Sequence, residues 1–163
     1  MSASAIKAMT FPREGGCQCG AVRYAVTVEP TALYCCHCTN CQSQGGSAFA
    51  MSMLVPRSGF AFIKGEPKAF HFVADSGKRK IGWYCPECGG RLMHDTEGRD
   101  SVTVRAGTLD GAQDLAPVGH IWTRSAQAWM AFDETDLVYE KAPTDGYAAL
   151  KAKWASQQSL VTE

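Results

Sequence analysis

Cysteines in three short groups are the residues of this chain whose types and spacing could do chemistry. The chain has eight cysteines. Seven of them form a C-x-C, a C-x-C-x-x-C and a C-x-x-C pattern at Cys17 and Cys19, at Cys36, Cys38 and Cys41, and at Cys85 and Cys88. Thiolates at such short spacings can converge on one metal ion. In a reducing compartment, clustered cysteines indicate metal or redox chemistry more often than disulfides. We therefore expect metal sites, with disulfides as the alternative.

The segment CPECGG, residues 85–90, has the form of a zinc knuckle. Cys85 and Cys88 can point at one ion while the two glycines let the backbone turn around it. A redox C-x-x-C would favour a strand-to-helix context, which the glycines and the period-two neighbours do not provide. A knuckle supplies two ligands, and Cys17 and Cys19 can supply the others because alternate strand residues face one side. These four predict a closed structural zinc site, worth on the order of 10 kcal/mol to folding.

The group formed by Cys36, Cys38 and Cys41 predicts a second zinc site of a different kind. In an extended chain Cys36 and Cys38 face one side, and Cys41 can return to them through a turn at residues 39–40. Three protein ligands and an open fourth position are typical of a catalytic zinc, whereas four closed ligands are typical of a structural one. A zinc ion with three thiolates also carries less negative charge and is the better Lewis acid.

The sequence does not decide whether a fourth protein ligand completes this second site. Cys35, His37 or a distant histidine could close it, which would make both zinc sites structural. If it does not ligate, Cys35 is a spare thiol, either a buried small side chain or a redox-sensitive group.

Candidates for a substrate pocket are weaker, because each also has an ordinary explanation as a core aromatic or a surface charge. The candidates are His120, Trp122, Arg124 and Phe49, followed by Trp83, Trp129 and Arg105. An arginine could bind a carboxylate through its planar fork. His71 and His94 are interpreted as surface or hydrogen-bonded residues.

The elements that must hold these groups are predicted to be short β-strands. Apolar residues alternate with period two, which is typical of half-buried strands, over residues 22–28, 49–55, 60–62, 70–72 and 102–106. Turns rich in Gly, Pro and Asp separate these runs. After Pro143 and Thr144, the apolar residues Tyr147, Leu150 and Trp154 fall at helical spacing. We expect many antiparallel strands with one C-terminal helix packed on them.

Composition bounds the class of protein. At 163 residues and 45% hydrophobic content the chain is one globular domain, not a disordered one. Lys plus Arg and Asp plus Glu each total 16, so the formal net charge of zero disfavours a nucleic-acid partner. The N-terminal residues lack the apolar run of a signal peptide, and no segment is long enough to span a bilayer, so we expect a cytoplasmic protein without a membrane partner.

The domain organisation follows from these patterns. We expect a flexible lead-in at residues 1–14 and a zinc-binding domain at residues 15–142. A helix and tail at residues 143–163 would pack on that same domain. Whether the chain forms a homo-oligomer stays open.

Taken together, the motifs resemble the glutathione-dependent formaldehyde-activating enzyme family, whose other branch includes centromere protein V. The segments that carry the likeness, spread from about Gly16 to Val138, are GGCQCGAVRY, CHCTNC, CPECGG, AGTLDG and HIWTRSAQAW. The resemblance implies a mainly β fold, a β-tent of two antiparallel sheets stapled by zinc, with a short C-terminal helix. It also implies two zinc ions per chain on the two cysteine sets above, the second ion being weakly held or shed when a thiol substrate takes its ligands' place.

The family's named reaction joins glutathione to formaldehyde, giving S-hydroxymethylglutathione, and is a carbon–sulfur lyase reaction. The resemblance implies a zinc-dependent lyase that forms or cleaves this adduct or a related one. The open zinc position would polarise the aldehyde oxygen or bind the thiol sulfur as thiolate.

Two other functions compete with the lyase, and one residue departs from the family pattern. The family often has arginine directly after the third cysteine of the open site, where this chain has Gln42; losing that cation would weaken recognition of anionic glutathione. The alternative function is a non-catalytic zinc-stabilised module that binds a small thiol or a protein partner. Methionine sulfoxide reductase chemistry is disfavoured because the first cysteine pair is C-x-C and not C-x-x-C.

Overall fold

Short strands are the main regular elements of the computed structural model, which describes residues 9–161. The strands are β1 (Arg13–Gly16), β2 (Arg23–Val26), β3 (Ala32–Cys36), β4 (Ala50–Pro56), β5 (Phe60–Lys64), β6 (Lys68–Val73), β7 (Arg79–Tyr84), β8 (Arg91–Thr96), β9 (Ser101–Arg105), β10 (Gly119–Ile121) and β11 (Leu137–Val138). The helices are α1 (Thr39–Gly45) and α2 (Ala148–Val161).

The strands form two sheets. The small sheet has the order β1-β2-β5, and the large sheet has the order β11-β10-β3-β4-β9-β8-β7-β6. This confirms the predicted mainly β fold of two sheets with a short C-terminal helix. The sheets are antiparallel except at one edge, where β10 pairs in parallel with both β3 and β11. Parallel pairing arises there because long connections, and not hairpins, lead into and out of β10.

One face of the large sheet forms the apolar core together with the small sheet. Leu33 lies opposite Met53, and Met53 lies opposite Val104. Directly opposed residues point to the same side of a sheet, and all three are fully buried. The small sheet adds Tyr24 and Val26, which are also fully buried in the same cluster. Burial of each such side chain stabilises the fold by about 1.5–3 kcal/mol.

The opposite face of the large sheet carries polar side chains that are nevertheless buried. Tyr34 lies opposite Ser52, which lies opposite Arg105. On the neighbouring strands, Thr103 lies opposite His94. None of the five is more than 8% exposed. Because burying polar groups is costly unless they are satisfied, this face is where a functional site is to be expected.

Helix α2 is the predicted C-terminal helix. Leu150 and Trp154 are buried, and the Trp154 indole Nε1 donates to the carbonyl oxygen of Pro30 at 2.9 Å. Asp145 caps the first turn, because its Oδ2 accepts from the amide of Ala149 at 3.0 Å. The helix thereby packs against β3.

Most of the predicted lead-in at residues 1–14 lies outside the described residues. Of its described part, the Met9 amide donates to Gln158 Oε1 of α2 at 3.2 Å, and β1 begins at Arg13. Among the helices that the structure describes, none has the length and apolar character needed to cross a membrane.

Candidate metal centres and cavity

Four thiols meet between the small sheet and the end of β7. The sulfurs of Cys17, Cys19, Cys85 and Cys88 all lie within 4.8 Å of one another. The Cys17 and Cys19 sulfurs are 3.5 Å apart, and those of Cys19 and Cys85 are 3.8 Å apart. Sulfurs on a tetrahedral zinc ion, with Zn–S bonds of about 2.3 Å, are separated by about 3.8 Å. The group could therefore hold a metal ion, and its dimensions suit zinc.

Backbone groups shape this first site. The Val22 amide donates to Cys17 Sγ at 3.2 Å. Burial raises the pKa of the Cys17 thiol, but the Val22 amide and the neighbouring thiols outweigh burial and bring it to about 6. The thiolate is the form that binds metal. In the knuckle, Gly89 adopts a φ of 72°, which a residue with a Cβ would adopt only with strain.

Three further thiols form a second group at the end of β3. The sulfurs of Cys36, Cys38 and Cys41 lie within 4.8 Å of one another, and no histidine or carboxylate of the described residues joins them. Cys38 caps α1, where its sulfur accepts from the Cys41 amide at 3.3 Å. The short helix α1 therefore occupies the place of the turn predicted at residues 39–40. The sequence does not predict this helix because α1 lacks the apolar periodicity by which helices are recognised.

A buried arginine sits against this second group. Arg105 Nη1 donates to Cys41 Sγ at 3.6 Å, and its Nη2 donates to Gln44 Oε1 at 2.9 Å. The Cys36 and Cys38 thiols, together with the Arg105 guanidinium, hold the pKa of Cys41 well below its usual range despite burial. Arg105 thus stabilises a thiolate within the group.

Cys35 and His37, the neighbouring candidates for a fourth ligand, lie on the opposite side of the chain from the three thiols. His37 is fully buried, and its Nε2 is 2.9 Å from His120 Nδ1. The other nitrogen of His120 lies 3.3 Å from Asp136 Oδ2. Burial, followed by the neighbouring His120, lowers the pKa of His37 to about 4. Cys35 is also buried, and burial together with Asp136 raises the pKa of its thiol to about 12.

A cavity of about 320 Å³ opens over the three thiols. Its lining includes Cys36, Cys38 and Cys41, the polar face of the large sheet, and the hairpin between β6 and β7. Three cationic side chains line it, Lys78, Lys80 and Arg99, against one carboxylate, Asp75. The cavity therefore favours anionic ligands.

Lys80 is a cavity residue that the sequence does not single out, and His94, interpreted above as a surface or hydrogen-bonded residue, is buried and lines the same cavity. Lys80 Nζ donates to His94 Nε2 at 3.2 Å. Burial, and then the charges of Lys80 and Arg105, lower the pKa of His94 well below its usual value, so the imidazole is a neutral acceptor at neutral pH. Neither β7 nor β8 has a period-two apolar pattern in the sequence, so no local signal shows which of their side chains face the cavity.

The four candidate substrate residues lie in different places. Trp122 is buried and lines the cavity. Phe49 packs against His37 with ring centroids 5.3 Å apart, on the same side of the chain as His120. Arg124 is exposed and lies 4.9 Å from the centre of the Trp122 ring. Of the four, Trp122 alone belongs to the cavity lining.

Gln42 stands where the resemblance implies an arginine, and its side chain makes a structural contact. Its Nε2 donates to the carbonyl oxygens of His37 and Ser125, each at 2.7 Å. The side chain therefore ties α1 to the segment that follows β10, and it does not line the cavity.

We expect Gln42→Ala to lower the free energy of unfolding by about 1–3 kcal/mol, because the Ser125 carbonyl loses its donor and the His37 carbonyl keeps only the Ser125 hydroxyl. Urea denaturation would measure the change. Gln127→Ala is the matched control: the exposed Gln127 donates to Gln42 Oε1 at 3.1 Å, and its loss should cost less than about 0.5 kcal/mol. Equal losses in the two variants would contradict the assignment.

Comparison with known proteins agrees with the cysteine pattern. The family model of the glutathione-dependent formaldehyde-activating enzyme matches residues 12–125, which contain both cysteine groups. No curated protein sequence matches the chain significantly. A crystal structure of a Rhodobacter sphaeroides protein is similar over 60% of this chain and 88% of that one, with 23% sequence identity and a TM-score of 0.49. From the family match over most of its length, the chain belongs to the glutathione-dependent formaldehyde-activating enzyme family.

Proposed function

We propose that this protein is a zinc-dependent carbon–sulfur lyase that forms or cleaves an adduct between a thiol and an aldehyde. The observation that carries the proposal is the second thiol group: Cys36, Cys38 and Cys41 share the floor of a cation-lined cavity with no fourth protein ligand among the described residues. Three ligands and an open position are typical of catalytic zinc. Family membership supports glutathione and formaldehyde as the substrates.

The two cysteine groups would hold different zinc ions. Cys17, Cys19, Cys85 and Cys88 would hold a closed structural ion, since four thiolates at tetrahedral spacing satisfy zinc completely. Cys36, Cys38 and Cys41 would hold the second ion, with Arg105 beside the Cys41 sulfur offsetting the negative charge of the thiolates. When bound there, zinc supplies a Lewis acid to the cavity.

The cavity walls would bind the thiol substrate. Glutathione carries two carboxylates, and Lys78 and Arg99 place cationic groups on the walls. Trp122 and Ile121 provide apolar surface beside the thiols. A volume of about 320 Å³ lies within the usual range for small-molecule sites. Recognition of an anionic thiol therefore does not depend on an arginine at position 42.

The proposal is tested by the rate at which zinc-loaded protein interconverts glutathione, formaldehyde and S-hydroxymethylglutathione. Exchange spectroscopy by NMR at equilibrium separates the catalysed rate from the spontaneous one. Acceleration proportional to protein concentration is expected. Binding of glutathione without acceleration would overturn the lyase and favour the alternative, a non-catalytic module that binds a small thiol.

We expect Arg99→Met to raise KM for glutathione about tenfold or more with little change in kcat, because it removes a charge-assisted contact made equally in the ground and transition states. Initial rates at varied glutathione would measure this. Arg124→Met is the matched control, since Arg124 lies outside the cavity lining and should leave KM unchanged. An unchanged KM in Arg99→Met would show that Arg99 does not bind the substrate.

A further inference from the structure

Lys80 is a half-buried lysine that belongs to neither thiol group. It lies on β7 opposite Thr96 of β8 and Phe72 of β6, and it lines the thiol cavity. Its Nζ donates to His94 Nε2 at 3.2 Å. Among the described residues, no carboxylate forms an ion pair with it at 4.0 Å or less. An ammonium that is partly removed from water and has no carboxylate partner is costly, and such groups are often functional.

The charged groups around Lys80 come from every element packed against it. On the side of the thiol cavity, the charged and titratable groups are Tyr34, Cys36, Cys38, Cys41, Asp75, Lys78, His94, Arg99 and Tyr147. On the other side Lys80 lines a second cavity, whose charged and titratable groups are Arg57, His71, Arg79, Asp95 and Glu97. There, Arg57 is paired with Asp95 and Arg79 with Glu97, so these two pairs carry no net charge.

The balance of these effects favours a neutral amine more than in an exposed lysine. Burial lowers the pKa of Lys80, and Arg99 adds to this, although the three cysteines oppose it. His94 holds the amine in place, since its Nε2 lies within hydrogen-bond distance of Lys80 Nζ. An amine that gains and loses a proton within the thiol cavity has the chemistry of a general acid and base.

We propose that Lys80 is a catalytic residue that carries the proton between the substrate thiol and the adduct oxygen. The inference rests on the proposed function. In the forward direction the thiol S–H bond breaks as its proton moves to the Lys80 amine. The thiolate then attacks the aldehyde carbon, a C–S bond forms, and the π electrons of the C=O bond move to oxygen. Lys80 returns the proton to that oxygen, so the cycle closes without any other reactant, and cleavage follows the same steps in reverse.

Lys80→Met and Lys80→Arg test this together. We expect kcat/KM for the glutathione–formaldehyde exchange to fall about 10²–10⁴-fold in both variants, with zinc content unchanged. Arginine keeps the positive charge but cannot release its proton in a protein, so it distinguishes proton transfer from mere charge. The acid limb of the pH profile should also change in both variants, because Lys80 no longer titrates. A Lys80→Arg enzyme with wild-type rate would overturn the inference.

A second readout does not depend on turnover. NMR of zinc-loaded protein with ¹⁵N-labelled lysine follows each Nζ, and the Lys80 signal is the one missing from Lys80→Arg. It should titrate at lower pH than the amine of a free lysine derivative, such as Nα-acetyl-lysine amide, in the same buffer. Titration at the same pH as that reference would overturn the inference even if the enzyme is active. If the wild type gives no acceleration, the proposed function fails and the inference fails with it; an active wild type with an active Lys80→Arg variant rejects Lys80 alone.

Discussion

Cys85→Ser is expected to lose the metal ion of the four-cysteine group and to leave the chain unfolded at room temperature. Cys85 is fully buried, and its group joins the link between β1 and β2 to the knuckle after β7. Structural zinc contributes about 10–16 kcal/mol when it binds thiolates, which equals or exceeds the total stability of about 5–15 kcal/mol of an ordinary domain. Loss of a free-energy contribution of that size would leave the folded state less stable than the unfolded one.

Circular dichroism and zinc content per chain would measure the effect of Cys85→Ser. Cys35→Ala is the matched control, because Cys35 is equally buried but belongs to neither thiol group. That variant should stay folded and keep its metal. A Cys85→Ser protein with a cooperative unfolding transition near that of the wild type would show that the four-cysteine group does not hold the fold together.

Cys38→Ala is expected to abolish catalysis while the chain stays folded. Cys38 is partly exposed and caps the short helix α1, so losing its sulfur should cost the fold only about 1 kcal/mol. Its loss leaves two thiolates in the second group, which cannot retain the ion as three do. Because metal-ion catalysis contributes several kcal/mol, we expect the catalysed exchange rate to fall by about 10³-fold or more.

The NMR exchange assay described above would measure this loss, and Thr39→Ala is the matched control. Thr39 is the exposed neighbour of Cys38 on the same helical turn and has no metal-binding group. Its substitution should leave the rate within a factor of two. A Cys38→Ala rate within tenfold of the wild type would mean that catalysis does not use the second group.

Features that depend on neighbouring residues could be predicted from the sequence. The spacing of Cys36, Cys38 and Cys41 indicates one group, and the structure brings their sulfurs within 4.8 Å. The helical spacing of Leu150 and Trp154 predicts α2, in which both residues are buried. In each case a local repeat decides which side chains share a face.

Features that depend on strand pairing could not be predicted. Lys80 and His94 are 14 positions apart and meet because β7 pairs with β8 in a register that places Gly82 opposite His94. A one-residue slip between the two strands would turn one of these side chains to the face opposite the other, and no residue in either strand indicates the register. The parallel position of β10 beside β3 is likewise set by packing and not by any local pattern.

The central claim is that the thiols of Cys36, Cys38 and Cys41 form a second metal site separate from the structural one. Zinc per chain, measured by elemental analysis on wild type and Cys38→Ala purified without added zinc, tests it most directly. Two zinc ions in the wild type falling to one in a folded Cys38→Ala protein are expected. One zinc ion in both proteins, or an unfolded Cys38→Ala chain, would contradict a separate and dispensable second site.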